Sequence, residues 1–211
     1  DYRVMSDRIE AGTFMIAAAA TNGDVVIENA ESKYNEPLIA KLQDMGVTVI
    51  DQDDGIRVLG TSVLLPSTVQ TAPYPGFPTD LQLQMTVLQL LANGTSTMNE
   101  TVFEKRFMHL EELRRMNAEY QIKNSTAVLS GPTKFSGAEV AATDLRAGAA
   151  LVIAGLVAQG ITQVRNLKYL DRGYYHLHQK LAQLGAQIDR INIDDQIELA
   201  SAKEVNHPER G

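Results

Sequence analysis

Apolar residues recur along the chain with a helical period in some segments and with a strand-like alternation in others. From Leu81 to Ala92 the apolar positions fall three or four residues apart, which predicts a helix with one buried face. The segment from Tyr174 to Leu184 shows the same spacing and predicts another helix. From Val25 to Glu28 buried and exposed positions are expected to alternate, as in a half-buried strand. The pattern therefore predicts an α/β protein.

The same order of features occurs three times along the chain, with a period of about 70 residues. Each copy has an Asp that opens an apolar helix, a Gly between that helix and a strand, and a second helix that ends in a turn residue before another strand. The opening residues are Asp7, Asp80 and Asp144. The glycines are Gly23, Gly94 and Gly160, which are 71 and 66 residues apart. The turn residues are Gly46, Asn117 and Gly185, the types best suited to a left-handed helix end.

The repeat predicts one α/β domain over residues 1–191, with copies at about 1–66, 67–131 and 132–191. Each copy has one apolar helix face, so we expect the helices to pack together inside and the sheets to lie outside, with approximate threefold symmetry. Residues 192–211 lose the pattern and are polar, and we interpret them as an exposed tail.

Composition narrows the range of functions. The 211 residues are 44% hydrophobic, enough for a real core, and they include no Cys, which excludes disulfides and thiolate metal sites. The net charge of -7 argues against a protein that coats nucleic acid. The longest apolar run, Met15 to Ala20, is too short to cross a membrane, and no signal-peptide pattern is present. We expect a cytoplasmic protein, and the start without Met suggests part of a longer chain or a processed product.

Asp80 is the first candidate for chemistry, and its sequence context supports two interpretations. As the residue before a helix it could accept backbone N–H bonds as an N-cap, and Asp7 and Asp144 fit the same interpretation. Alternatively it could be a positioned general base, because three Pro and one Gly in the eight residues before Thr79 make a rigid approach. Spacing alone favours the cap, and both interpretations stay open at this point.

Arg106, Arg146 and Arg172 each stand near the start of a predicted helix. If the repeat gathers these ends at one face, guanidinium groups and helix N-termini would together form an anion site. The alternative is that they pair with nearby acids at the surface. Val102 and Phe103 lie in the same loop as Arg106 and are either core or a surface for a sugar or base. The four His show no metal-ligand spacing, and we assign them no role.

Long strings of the chain resemble the UDP-N-acetylglucosamine 1-carboxyvinyltransferases, which catalyse the first committed step of peptidoglycan synthesis. The strings are SDRIEAGTF, TAPYPGFPTDLQLQ, ETVFEKRFMHLEEL, ATDLRAGAALV and YLDRGY, and they cover nearly all of residues 3–191 in the family's order. The resemblance implies a two-domain enzyme in which each domain is an inside-out α/β barrel of three βαβαββ units. It identifies this chain as the second domain, missing a strand that the family's N-terminus supplies.

The resemblance also implies roles for individual residues. Asp80 would be the base and a sugar ligand, Val102 a backbone contact to the UDP-sugar, and Phe103 a neighbour of the sugar. Arg106 would bind on the UDP-sugar side, and Asp7 would line the cleft. The residues implied to face phosphoenolpyruvate are Asp144, Arg146 and Arg172.

The implied partners are UDP-N-acetylglucosamine, phosphoenolpyruvate and the missing N-terminal domain, with no cofactor, metal, nucleic acid or membrane. The proton donor, a Cys or Asp, would lie in the missing half, so this chain alone is predicted to be inactive. Two alternatives remain open. One is a paralogue that binds UDP-sugar without turnover, and the other is the sister 3-phosphoshikimate 1-carboxyvinyltransferase.

Overall fold

The computed structural model of the protein describes residues 4–104 and 106–191. Its contacts divide the chain into two units, Asp1–Tyr175 and His176–Gly211. The helices of the first unit are α1 (Arg8–Ala20), α2 (Glu36–Asp44), α3 (Gln82–Leu91), α4 (His109–Arg115) and α5 (Leu145–Val157). The strands are β1 (Asp24–Glu28), β2 (Thr48–Gln52), β3 (Gly55–Leu59), β4 (Thr68–Gln70), β5 (Thr95–Asn99), β6 (Glu119–Lys123), β7 (Thr126–Ser130), β8 (Glu139–Ala141) and β9 (Gln163–Arg165). The second unit contains α6 (Leu177–Gln183).

Helices α1, α3 and α5 pack against one another in the first unit. Residues 82–90 of α3 are all buried, and α5 is buried along residues 147–154. Small side chains let the helices approach closely: a Cβ added to Gly12 of α1 would lie 2.5 Å from Cδ1 of Leu81. Burial of apolar side chains between these helices is the main stabilising contribution to this unit.

Three sheets accompany these helices. In the first, β3 pairs antiparallel with both β1 and β2. In the second, the strand order is β4-β5-β7-β6, with β4 parallel to β5 and the remaining pairs antiparallel. In the third, β8 pairs parallel with β9. β5 follows the buried helix α3, and β9 follows the buried helix α5.

Three features agree with the sequence prediction: the mixed α/β content, the alternating burial of β1 and the residues at the helix ends. The predicted turn residues Gly46, Asn117 and Gly185 have φ of 91°, 75° and 97°, the left-handed values that a helix C-terminus requires. None of the helices among the described residues combines the length and the apolar character that a membrane span needs.

Two predictions about the third copy were wrong. The helix expected from Tyr174 to Leu184 begins at Leu177, Tyr174 lies before it, and Leu184 is 52% exposed. No strand forms over residues 186–191, where the first two copies have the opening strand of a hairpin. A strand needs a neighbour for its backbone N–H and C=O groups, and the described residues supply none there. The predicted tail, 192–211, lies outside the described residues.

Candidate active site

Two of the three repeat-equivalent aspartates are helix caps. Asp7 accepts hydrogen bonds from the backbone N–H groups of Ile9 at 2.7 Å and Glu10 at 3.2 Å at the start of α1. Asp144 accepts from those of Arg146 at 2.8 Å and Ala147 at 2.9 Å at the start of α5. Both carboxylates satisfy N–H groups that a helix start leaves without partners.

Asp80 has different partners. It lies within a short 3₁₀ turn, Thr79–Leu81, that precedes α3, and neither helix start uses it as a cap. Its Oδ1 accepts from Nη2 of Arg106 at 3.0 Å, and its Oδ2 accepts from Nη2 of Arg146 at 3.2 Å. The Asp80 side chain is 40% exposed, against 21% for Arg106 and 15% for Arg146. A partly exposed carboxylate is therefore held between two more deeply buried cations.

This pairing sets the charge state of Asp80. Burial is the largest single influence and raises the pKa of Asp80, but the Coulombic attraction and hydrogen bonds of Arg146 and Arg106 together outweigh it. The net result is a pKa below the ordinary value of Asp. The carboxylate is ionised at neutral pH and can accept a proton or a hydrogen bond from a ligand hydroxyl.

Arg106 is fixed by contacts on three sides. Its Nη1 donates to Oγ1 of Thr79 at 2.8 Å, its Nη2 binds Asp80, and its guanidinium lies over the ring of Phe103, 5.0 Å from the ring centroid. Because a guanidinium is planar and always charged, these contacts fix both its position and its orientation.

A buried carboxylate, Glu100, organises the loop that carries Phe103. It is 2% exposed, and its Oε1 accepts from the backbone N–H groups of Val102 at 2.8 Å and Phe103 at 3.0 Å. The hydroxyl of Thr71 also donates to Oε1 at 2.7 Å, and that of Thr79 donates to Oε2 at 2.8 Å. Glu100 thus connects the end of β4, the 3₁₀ turn and the loop after β5 through one side chain.

Two cavities adjoin Asp80. The larger has a volume of about 410 Å³. Its lining residues are Asp80, Leu83, Phe103, Glu104, Arg106, Met108, His109 and Asp144. The smaller has a volume of about 240 Å³. Its lining residues are Arg8, Ile9, Ala72, Pro73, Tyr74, Pro78, Thr79, Asp80, Val102 and Phe103. Asp80 and Phe103 line both.

His109 is a buried histidine in the wall of the larger cavity. Its Nε2 lies 2.8 Å from Oγ1 of Thr86, whose hydroxyl hydrogen is donated to the carbonyl of Leu83 at 2.6 Å. Nε2 must therefore carry the ring proton and donate it to Thr86. Burial lowers the pKa of His109 to about 3, with Arg106 lowering it further and Asp144 opposing, so the ring is neutral at physiological pH.

The structure brings together most of the site residues predicted from the sequence. Asp80, Arg106 and Arg146 form one ion-paired cluster, Phe103 stacks on Arg106, Asp144 lines the larger cavity, and Val102 lines the smaller. Arg172 is exposed, lines neither cavity and makes no ion pair within the described part of the chain. Asp7 is an exposed cap, and its neighbours Arg8 and Ile9, not Asp7 itself, line the smaller cavity.

Sequence reasoning missed four residues of this site: Thr79, Glu100, His109 and Tyr174, whose hydroxyl accepts from Nη1 of Arg146 at 3.3 Å. Thr79 and Glu100 were inside the quoted strings but were not singled out, because a Thr or Glu at a strand or helix end is common. The interpretation that no His has a role overlooked His109, although an apolar neighbourhood, Phe107 to Leu110, indicated burial. Tyr174 was assigned to a helix face. The polar residues around it, among them Asp171, Arg172 and His176, carry no local signal that this side chain is buried.

The arrangement can perform two chemical tasks. The Asp80 carboxylate can accept a proton from a hydroxyl, and two forked cations beside it can bind phosphate or carboxylate oxygens. An apolar aromatic face next to both can pack on a sugar ring. Anionic substrates with a reactive hydroxyl fit such a site.

Proteins of known name are similar to this chain in sequence and in structure. A protein of Halalkalibacterium halodurans named UDP-N-acetylglucosamine 1-carboxyvinyltransferase 1 is 60% identical over 191 residues, which are 90% of this chain and 43% of that protein. The crystal structure of the enolpyruvyl transferase NikO from Streptomyces tendae superposes with a TM-score of 0.81 at 28% identity, covering 90% of this chain and 45% of that one. EPSP synthase from Acinetobacter baumannii shares the fold, with a TM-score of 0.59 at 17% identity over 77% of this chain and 39% of that chain.

The chain thus spans less than half the length of the relatives it matches. The sequence profile of the family described as EPSP synthase (3-phosphoshikimate 1-carboxyvinyltransferase) matches residues 1–181, most of the chain. Together with the similarity of sequence and structure, this match shows that the chain belongs to the EPSP synthase family.

Proposed function

We propose that this chain is part of an enzyme that transfers the enolpyruvyl group of phosphoenolpyruvate to the 3-hydroxyl of UDP-N-acetylglucosamine. The observation that carries the proposal is the Asp80 carboxylate, which is free of capping duty and is held between Arg106 and Arg146 at the mouth of two cavities. The 60% identity to a UDP-N-acetylglucosamine 1-carboxyvinyltransferase supports the choice of acceptor sugar.

In this reaction a C–O bond forms between the sugar oxygen and the enolpyruvyl carbon, and the bond from that carbon to phosphate breaks. Asp80 would accept the proton of the attacking hydroxyl, which is otherwise a poor nucleophile. Arg146 and Arg106 would stabilise the negative charge on the phosphate and carboxylate oxygens. By the resemblance, Asp144 and Arg172 also face the phosphoenolpyruvate groups, and a Cys or Asp in the other half supplies a proton to the vinyl carbon, which that carbon loses again when phosphate leaves.

The loop after β5 would bind the sugar. Since the N–H of Val102 is already donated to Glu100, a backbone contact from Val102 to a ligand would be made by its carbonyl oxygen. That carbonyl accepts a hydrogen bond and so selects an N–H or O–H donor on the ligand. The exposed ring of Phe103, beside Arg106, offers the apolar surface for the sugar.

We also propose that residues 1–191 form one domain of three βαβαββ units with the helices inside. Support comes from the packing of α1, α3 and α5 and from the similar sheets of the first two copies. Among the described residues, β1 lacks the parallel neighbour that β4 gives to β5, which fits a strand contributed from elsewhere.

A competing candidate is the sister reaction on shikimate 3-phosphate, for which the description of the matched family is the supporting observation. The two are distinguished by the acceptor. We expect the full-length enzyme containing this chain to release phosphate from phosphoenolpyruvate with UDP-N-acetylglucosamine and not with shikimate 3-phosphate. Release with shikimate 3-phosphate alone would replace the proposal by its rival, and release with neither would contradict both.

A further inference from the structure

A network of hydrogen bonds, most of them buried, connects Arg146 to α1 and α3. The hydroxyl of Tyr174, a residue that is 2% exposed, lies 3.3 Å from Nη1 of Arg146, 3.2 Å from Nε2 of Gln84 and 2.8 Å from Oγ1 of Thr13. Gln84 Nε2 also donates to Thr13 Oγ1 at 3.1 Å, and the Thr13 hydroxyl donates to the carbonyl of Ile9 at 2.9 Å. α1, α3 and α5 thus meet at one phenol oxygen.

The direction of each hydrogen bond follows from the chemistry of the groups. A guanidinium only donates, and the single hydrogen of Thr13 goes to Ile9. The Tyr174 hydrogen therefore goes to Thr13, and its oxygen accepts from Arg146 and Gln84. The same reasoning orients the Gln84 amide. Its NH₂ group must face the hydroxyls of Tyr174 and Thr13, because the amide oxygen would meet no available hydrogen there. Both hydroxyls use their full capacity, and the chain of donors runs from Arg146 to the backbone of α1.

This arrangement fixes the guanidinium of Arg146 at two points. Nη1 is anchored on Tyr174, and Nη2 reaches Oδ2 of Asp80 at 3.2 Å. An arginine side chain loses considerable conformational entropy when it is immobilised. Because Tyr174 already immobilises Arg146, less of this entropy is lost when substrate binds. The ring of Tyr174 also lies 5.7 Å from the guanidinium and contributes a favourable cation–π contact.

We propose that Tyr174, oriented by Thr13 and Gln84, is a positioning residue that holds Arg146 and, through it, the Asp80 carboxylate in the reactive arrangement. The inference rests on the proposed function, since it assigns Tyr174 a part in that reaction. A buried tyrosine with a purely structural role needs one partner for its hydroxyl. This one has three, and one of them is a cation of the candidate site.

The test is steady-state kinetics of Tyr174→Phe in the full-length enzyme, with UDP-N-acetylglucosamine and phosphoenolpyruvate as substrates. The variant removes one oxygen atom and keeps the ring. We expect kcat to fall about tenfold. Because Arg146 then holds Asp80 less firmly, the acidic limb of the pH profile of kcat/KM moves to higher pH. Arg146→Gln removes the cation altogether and should give the largest shift of the acidic limb.

The matched control is Tyr120→Phe. Tyr120 also donates its hydroxyl to a side chain, Glu111 at 2.7 Å, but on the surface of the second sheet. This variant should keep the wild-type kcat and pH profile. If Tyr174→Phe does not fold, Thr13→Val removes the hydroxyl that accepts from Tyr174 and should shift the acidic limb in the same direction, whereas Thr13→Ser retains the wild-type profile.

The outcomes separate this inference from the proposed function. An active wild-type enzyme supports the function regardless of the variants. If it is active and Tyr174→Phe, or Thr13→Val in its place, matches Tyr120→Phe in kcat and in the acidic limb, Tyr174 is only a core residue and the inference is overturned. A wild-type enzyme that transfers nothing overturns the proposed function.

Discussion

The starts of α1 and α5 differ from the start of α3, although the sequence repeat places an Asp at each. Asp7 and Asp144 turn inward along their own helices and accept two backbone N–H bonds each. Asp80 is displaced into a 3₁₀ turn before α3 and accepts from two arginine side chains instead. The short turn before α3 therefore leaves the Asp80 carboxylate partly exposed and paired with two arginines instead of with the backbone of its own helix.

The segment before Asp80 explains why this Asp is not a helix cap. Pro78 and the preceding loop fix the backbone ahead of Asp80, and Thr79 is bonded to both Glu100 and Arg106. With Thr79 held in this way, the 3₁₀ turn begins at Thr79, two residues earlier than a helix capped by Asp80 would. Residues at equivalent positions of the repeat thus have different roles.

The largest expected effect comes from Asp80→Asn in the full-length enzyme. The amide keeps the size of the side chain but cannot take the proton of the sugar hydroxyl, and general bases contribute about 10²–10⁴-fold to rate. We expect turnover to fall at least about 100-fold, measured as phosphate release. Folding should be retained, because no helix cap is lost.

Asp24→Asn is the matched control for this variant. Asp24 also pairs with an arginine through both oxygens, at 2.8 Å and 2.6 Å from Arg57, but on an exposed sheet edge. Its turnover should equal that of the wild type. If Asp80→Asn also kept wild-type turnover, the contrast between the helix starts would be structural only.

Most residues of this site could be predicted from the sequence, but few of the contacts between them could. Hydrophobic period and turn residues located the helices and strands, since burial and left-handed C-termini leave strong local patterns, as at Asn117. The choice between cap and base at Asp80 was not accessible, because it depends on Arg106 and Arg146, which lie 26 and 66 residues away in sequence. The same holds for Tyr174 and Thr13, which are 161 residues apart.

A smaller effect is expected from His109, whose pKa is lowered by burial, raised by Asp144 and lowered by Arg106. With a folded-state pKa of about 3 and an ordinary value of 6.5, it favours folding while neutral. Below pH 6.5 the unfolded chain takes up a proton that the folded one does not. Acidification from pH 7 to pH 5 should therefore cost about 2 kcal/mol at this residue.

His109→Gln isolates that contribution, because its amide can still donate to Thr86 but cannot titrate. Unfolding of the two full-length proteins at pH 7 and pH 5 gives the comparison. The wild type should lose more stability on acidification than the variant does. Equal losses would mean that His109 is protonated in the fold, and that the Asp144 side of the cavity outweighs burial and Arg106.

The smallest effect sharpens the comparison most directly, because it measures capping itself. Asp7→Ala removes the acceptor for the N–H groups of Ile9 and Glu10, and loss of such a cap costs about 1 kcal/mol. Asp7→Asn should restore most of this stability, since the amide oxygen accepts the same hydrogen bonds.

At Asp80 the Asn variant should not be more stable than the Ala variant for this reason, because there is no cap at Asp80 for Asn to restore. Thermal unfolding of the Ala and Asn variants at both positions tests this. If Asn exceeded Ala by the same amount at Asp80 as at Asp7, Asp80 would be a cap in solution, and the difference between the helix starts would disappear.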